Sequence, residues 1–423
     1  MYLLLLAAMR VAAPGVELAT FVAVSPAEEK SSGQIVRMSA DFSVVLSSGN
    51  KESTIKDIIS LRRGDLIQTH LTHAPVLAEV PLPHFPNGPQ LITTTGDRIA
   101  GKLMGGDGQS LKYLLSSMSR HQGINNMSED PWKVPLSSTA VLWFTATPSD
   151  TPIEPAQYEW MAGNRNRDVF RYRNGDMDKG SLTGFDEDGR FNFKPEQGMA
   201  RTLRLDELAA IGFNPSLARN RKPKGPYARI VLTNSSRLAL ITPTIEAGLV
   251  KGETLFGLKV AIPVSELLSL DILNGKATYL SDLKPKRVEQ TGFLGVIWPW
   301  TADRTVSGKS LRVTIPLGES TYEKGLGTHP RTLLSYDLRG KYRRFEALVG
   351  FDPQATIRGC ATVQVLLDGK LQDLGDRAKL KTGNAIPIRI DTQGAMELVL
   401  ITDFSTAGDV GADVNWCEAR LVE

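Results

Sequence analysis

The sequence predicts an all-β protein, in which several small antiparallel meander or barrel units precede a C-terminal sandwich of two sheets. Three observations carry this expectation. Apolar and polar residues alternate at period two, as in Phe191-Asn192-Phe193 and Leu311-Arg312-Val313-Thr314-Ile315, the pattern of strands with one buried face. Asp-Gly recurs between such stretches, at Asp107-Gly108, Asp188-Gly189 and Asp368-Gly369, and a type I′ hairpin turn needs positive φ at both central residues. A strand-turn-strand unit that closes on an apolar stretch also returns several times along the first two thirds of the chain.

Residues 1–16 open on Met1-Tyr2-Leu3-Leu4-Leu5-Leu6-Ala7-Ala8-Met9, too short to span a bilayer and shaped like the apolar core of a secretory signal without its basic start. Val11-Ala12-Ala13-Pro14 could supply the small residues of a cleavage site. Read as a truncated signal, this segment predicts an exported protein in the periplasm, at the cell surface or outside the cell; the alternative is a buried strand. No other stretch is a candidate transmembrane helix.

The repeated units divide into two pairs, 17–150 and 151–283. The first copy runs over residues 33–61, the second over 96–144 from Gly96-Asp97-Arg98 to Val141-Leu142-Trp143-Phe144. The third covers 175–211 from Gly175-Asp176-Met177 to Ile211, and a degraded fourth spans 238–270. A meander of this size buries too little surface alone, so successive copies should pack together or close into small barrels. Asp97 and Asp176 stand at the tight turns, where an Asx side chain bonds local backbone, and we read them as structural. Residues 284–301 form a linker to a module at 302–423. Its Trp298-Pro299-Trp300 should pack on the module's outer surface, or offer an aromatic platform to a sugar ring.

Composition narrows the function. The 49 basic and 46 acidic side chains leave a net charge of +3, and the basic runs at Arg219-Asn220-Arg221-Lys222 and Lys284-Pro285-Lys286-Arg287 lack the aromatic partners of a nucleic-acid groove. With 5 histidines, 2 cysteines and no Cys-x-x-Cys, a zinc site has no support. Cys360 and Cys417 fit either a disulfide or two free thiols. Catalytic signatures such as Gly-x-Ser-x-Gly, His-Glu-x-x-His and a phosphate-cradling Gly-rich loop are absent.

Two loops of the module combine Gly with groups able to bond a polyhydroxy ligand: Tyr322-Glu323-Lys324-Gly325-Leu326-Gly327-Thr328-His329, and Gly408-Asp409-Val410-Gly411-Ala412-Asp413-Val414-Asn415-Trp416. Together with Tyr336-Asp337-Leu338, Gly340-Lys341-Tyr342-Arg343-Arg344-Phe345 and Val363-Gln364-Val365-Leu366-Leu367-Asp368-Gly369-Lys370, these motifs make residues 308–423 resemble the NPCBM/NEW2 family of carbohydrate-binding modules, which accompany family 98 glycoside hydrolases and are related to carbohydrate-binding module family 51. The resemblance implies a jelly-roll β-sandwich that binds glycan or polysaccharide. The chain departs from the family at Asp413, where the family has His, and at Cys417 and Glu418, where it has Ala-Asp.

The expected function is therefore non-catalytic carbohydrate binding. Tyr322, Glu323, His329, Asp413 and Asn415 form the candidate polar site, and Trp416 is either a core anchor or the stacking face. No cofactor is expected, with calcium at Asp352, Asp403 or Asp409 left open. The alternatives are an envelope adaptor whose module has lost sugar binding and packs against a protein partner, and a part of a glycoside hydrolase system, either accessory or itself a hydrolase with a carboxylate pair in the repeats.

Overall fold

The computed structural model describes residues 19–27, 30–68, 75–116, 130–145, 166–185, 190–219, 221–354, 360–383, 385–405 and 408–423. The expected leader and the Asp188-Gly189 turn lie outside them. Regular structure among the described residues is all strand and short 3-10 turn, and no helix is long and apolar enough to cross a membrane.

One strand order recurs four times before residue 275. Among the described residues, five strands follow in sequence in each copy and the fifth returns beside the first: Thr20–Val24 with Ser60–Gln68, Gln90–Thr93 with Thr139–Trp143, Asp168–Tyr172 with Leu208–Gly212, and Tyr227–Leu232 with Leu267–Leu273. Copies two and three therefore begin one strand earlier than their Gly-Asp turns suggest. In the last three copies a 3-10 turn, at Leu136–Ser138, Leu205–Glu207 and Val264–Glu266, leads into the fifth strand. The same copies share a left-handed residue between strands one and two, Gly96 (φ 91°), Gly175 (φ 95°) and Ser235 (φ 70°), so glycine is supplied where positive φ is needed in two of three.

The fifth strands explain why the copies do not stand apart. Leu142 pairs with Ile211 across copies two and three, and Leu270 with Leu61 across copies four and one. Flanked on both edges, these strands are buried nearly throughout and read as continuous apolar runs. One core, including Phe21, Tyr113, Phe170, Phe193 and Ile230, links all four copies.

Asp97 departs from its expected local role. Its carboxylate is wholly buried and accepts from the Ala239 amide at 3.1 Å and from Arg229, so it ties copy two to copy four. Asp176 does bond locally, taking the Asn174 Nδ2 donor.

The sandwich begins before residue 302. Ala277–Tyr279 pairs with Val414–Val422, and Arg287–Gln290, inside the expected linker, pairs with Thr332–Asp337. Arg287–Gln290 escapes the alternation test because it is an exposed edge strand. One sheet runs Thr301–Ala302, Gly325–Thr328, Val414–Val422, Arg344–Phe351, Ile386–Asp391; the facing one runs Arg287–Gln290, Thr332–Asp337, Glu397–Phe404, Ala361–Leu367, Lys370–Leu371. Between them lie Tyr336, Phe345, Val363, Leu400 and Trp416.

The hairpin Leu311–Ile315 and Gly318–Tyr322 covers the outer face of the first sheet and joins the two halves of the chain. Leu311, Val313, Tyr322 and Cys417 pack with Leu82, Val231 and Leu268 of the repeats. Leu82 also exchanges hydrogen bonds with this hairpin, its amide donating to Ser320 Oγ at 3.0 Å and its carbonyl accepting from the Thr321 amide at 3.0 Å. Both cysteines are free thiols.

Candidate functional site

Strand register assembles one rim of the sandwich. Thr328 is paired with Val414, Phe351 with Val414, and Thr301 with Gly327. Residues just beyond these pairs, His329, Asp413, Asp352 and the segment before Thr301, therefore emerge at the same end of one sheet.

His329 lies at the centre. Its Nδ1 is 2.7 Å from Asp413 Oδ1 and its Nε2 is 3.4 Å from Asp409 Oδ2, while its carbonyl accepts from Thr332 Oγ1 at 2.6 Å. Only 8 % of the residue is exposed. Burial disfavours the imidazolium, but the hydrogen bonds and charges of Asp413 and Asp409 outweigh it and raise the pKa above 6.5. A raised histidine pKa adds stability that is complete below the unfolded value and fades as pH rises through the folded one. We expect the His329 ring protons, followed by NMR, to titrate above pH 6.5, and the rim to lose local protection as pH climbs past that point; a midpoint at or below the unfolded value would refute the clamp.

The segment before Thr301 supplies an apolar face. Trp298 is 50 % exposed, and its ring centroid stands 6.0 Å from that of His329 with the planes at 52°. Gln290 holds this segment, its Nε2 donating to the Trp298 carbonyl at 2.8 Å and to Thr332 Oγ1 at 2.9 Å. Phe293 packs edge-on against Phe404 at 5.6 Å. Trp300 instead packs on the sandwich core, so the two tryptophans flanking Pro299 have separate fates.

The other expected site residues lie elsewhere. Trp416 is 1 % exposed, with Nε1 donating to Thr402 Oγ1 at 3.1 Å; it is a core anchor, with no face for a sugar. Asn415 points to the opposite side of the same strand and is sealed beneath the hairpin, donating to the Arg312 carbonyl at 2.8 Å. Tyr322 is buried against the repeats. The Glu323 carboxylate accepts from Arg229 Nη2 at 2.6 Å and Nε at 3.1 Å, which commits it to joining the halves of the chain. Of the six residues, His329 and Asp413 meet at the rim.

The three aspartates left open for calcium have separate surroundings. Asp352 is buried, with Oδ1 accepting from the Gln354 amide. Asp403 is 3.7 Å from Arg331 Nε, and Asp409 faces His329. Among the described residues no group of three or more His, Cys, Asp or Glu side chains is placed to hold a metal ion.

Two of the departures from the family pattern face the chain's own repeats. Cys417 joins the apolar contact with Leu82 and Val231. Glu418, at a left-handed φ of 53°, accepts from Arg62 Nη2 at 3.0 Å.

Residues 276–422 match the model of the NPCBM/NEW2 domain. No curated protein matches the chain. Among solved structures the chain is similar to the CBM51 of Clostridium perfringens GH95 in complex with methyl-galactose, with 23 % identity over 34 % of this chain and 99 % of that one (TM-score 0.31). It is similar to the CBM51-2, in complex with GlcNAc, and INT domains of C. perfringens ZmpB, with 23 % identity over 41 % of this chain and 36 % of that one (TM-score 0.32). It is also similar to the tandem CBM51 modules of the family 98 glycoside hydrolase of Streptococcus pneumoniae SP3-BS71, with 14 % identity over 69 % and 82 % (TM-score 0.32).

Proposed function

We propose that this chain is an exported, non-catalytic glycan-binding protein whose NPCBM/NEW2 unit holds a sugar ring at the rim formed by Trp298, His329, Asp409 and Asp413. The observation that carries this reading is a half-exposed indole beside an imidazole clamped between two carboxylates. A pyranose has an apolar C–H face and a belt of hydroxyls; the indole suits the former, and carboxylate oxygens accept from the latter.

A rim of this kind is open, so single-site affinity should be weak and useful retention would come from several sites on one polysaccharide. The adaptor alternative rested on the departures from the family pattern, and the contacts of Cys417 and Glu418 with the repeats account for two of them within the chain.

The test is a glycan array followed by calorimetry on the full chain and Trp298→Ala. We expect the array to yield a neutral glycan whose affinity falls at least about tenfold in the variant while the unfolding midpoint is kept. A folded protein that binds no glycan, or a variant that binds as tightly as the parent, would overturn the proposal.

A further inference from the structure

A second concave site lies between the repeats and the sandwich, away from the Trp298 rim. It is a cleft of about 380 Å³ with one wall from each half: Val24, Ser60 and Arg62 on the repeat side, Leu348, Ile388 and Arg420 on the sandwich side. Ligand sites favour such concave seams, mostly apolar with a few converging polar groups.

The polar groups form two linked ion pairs. Arg62 bridges Asp271 at 2.7 Å and Glu418 at 3.0 Å. Arg420 donates from Nε to Glu346 Oε2 at 3.1 Å. Arg420 is 8 % exposed, and its buried Nη1 has no hydrogen-bond partner among the described residues, standing 3.5 Å from Glu418 Oε2. Glu418 thus stands between Arg62 and Arg420, within ion-pair distance of both.

Charge balance selects the ligand. Despite burial, Arg420, Arg389 and Arg344 hold the Glu346 carboxyl down to about 2, so it is a fixed anion. Burial and the nearby Asp271 push the Glu418 carboxyl above its usual range, against the pull of Arg62 and Arg420. Four cations, Lys30, Arg62, Arg389 and Arg420, line the cleft with three carboxylates, Glu79, Glu346 and Glu418. Pro387 and Leu348 add an apolar wall.

We propose that this cleft binds a small sugar acid, a uronate, with its carboxylate toward the arginines, its hydroxyls toward the glutamates and its C–H face on Pro387 and Leu348. The ligand class follows from an excess of cations, acceptors for hydroxyls and an apolar wall in one cleft between two units.

Calorimetric titration of the full chain with glucuronate, glucose and acetate tests it. We expect saturable binding of glucuronate, with glucose and acetate each at least about tenfold weaker. Arg389 stands at the mouth with 38 % of its side chain exposed, so Arg389→Ala should keep the unfolding midpoint and weaken glucuronate about tenfold, leaving glycan binding at the Trp298 rim unchanged. Glucose or acetate binding as well as glucuronate, absence of glucuronate binding, or an Arg389→Ala protein that binds it normally would each overturn the assignment. A short oligouronide that binds as tightly as the monomer would identify a chain end as the natural ligand; one that does not bind would identify the free sugar acid.

Discussion

Arg229→Ala will lower the stability of the full chain by about 3–5 kcal/mol, read as a fall in the urea midpoint. Arg229 lies on Tyr227–Leu232 and its guanidinium is the shared cation of two carboxylates, Asp97 in copy two and Glu323 in the sandwich. It also donates to the Gly96 carbonyl at 3.0 Å. Truncation leaves Asp97, which is fully buried, facing Glu323 without that charge between them. Removing one member of a buried network is far more damaging than replacing the whole by apolar groups, because the remaining ions keep their desolvation penalty.

The loss should depend on pH with a definite sign. Burial, opposed by Arg229, already pushes the Asp97 carboxyl up to about 6. A carboxyl whose folded pKa is raised contributes stability that is complete below its unfolded pKa of 3.8 and is lost as pH rises through the folded value. Without Arg229 the folded value climbs further, so the deficit should be smaller at pH 5 than at pH 8. Equal midpoints for variant and parent at both pH values would show that the network carries no stability.

Much of the fold is legible in the sequence because antiparallel strands with one wet face leave a period of two, and because Asp107-Gly108 and Asp368-Gly369 mark hairpin turns. What escapes is what has no wet face. Gln90–Thr93 is buried at every position, so it shows no alternation, and in the sequence the second copy starts only at the Gly-Asp turn that follows. Register was beyond reach for the same reason. His329 and Asp413 are placed together by the Thr328–Val414 pairing, which fixes who stands opposite whom at a strand end, and nothing local encodes it.

The misplaced site residues follow from one fact. Val414–Val422 is a central strand covered on both faces, by the sandwich core on one side and by the hairpin Leu311–Tyr322 on the other. A polar Asn415 beside Trp416 therefore signals a satisfied interior amide, whereas the same pair on an edge strand would have faced solvent. Glu323 reads as a loop acid until its cation appears 94 residues away in the chain. Asp409, weighed for calcium, turns out to flank His329; its spacing of four from Asp413 was the available signal.

Trp416→Ala should unfold the sandwich without testing the sugar site at all. The side chain sits between Leu326 and Val349, its neighbours on the two adjacent strands, and is 1 % exposed. Its Nε1 donates to Thr402 Oγ1, which is 2.9 Å from Thr328 Oγ1, so the indole also anchors the polar link between the two sheets. Truncating a buried tryptophan costs about 3–5 kcal/mol through lost transfer energy and the cavity left behind. By contrast Trp298→Ala removes a half-exposed ring and should leave the urea midpoint within about 0.5 kcal/mol of the parent. The pair therefore separates stability from recognition: one variant loses the fold, the other loses the ligand. If Trp416→Ala instead kept its midpoint and lost glycan binding, Trp416 would be the stacking residue, and the rim built on Trp298 would be wrong.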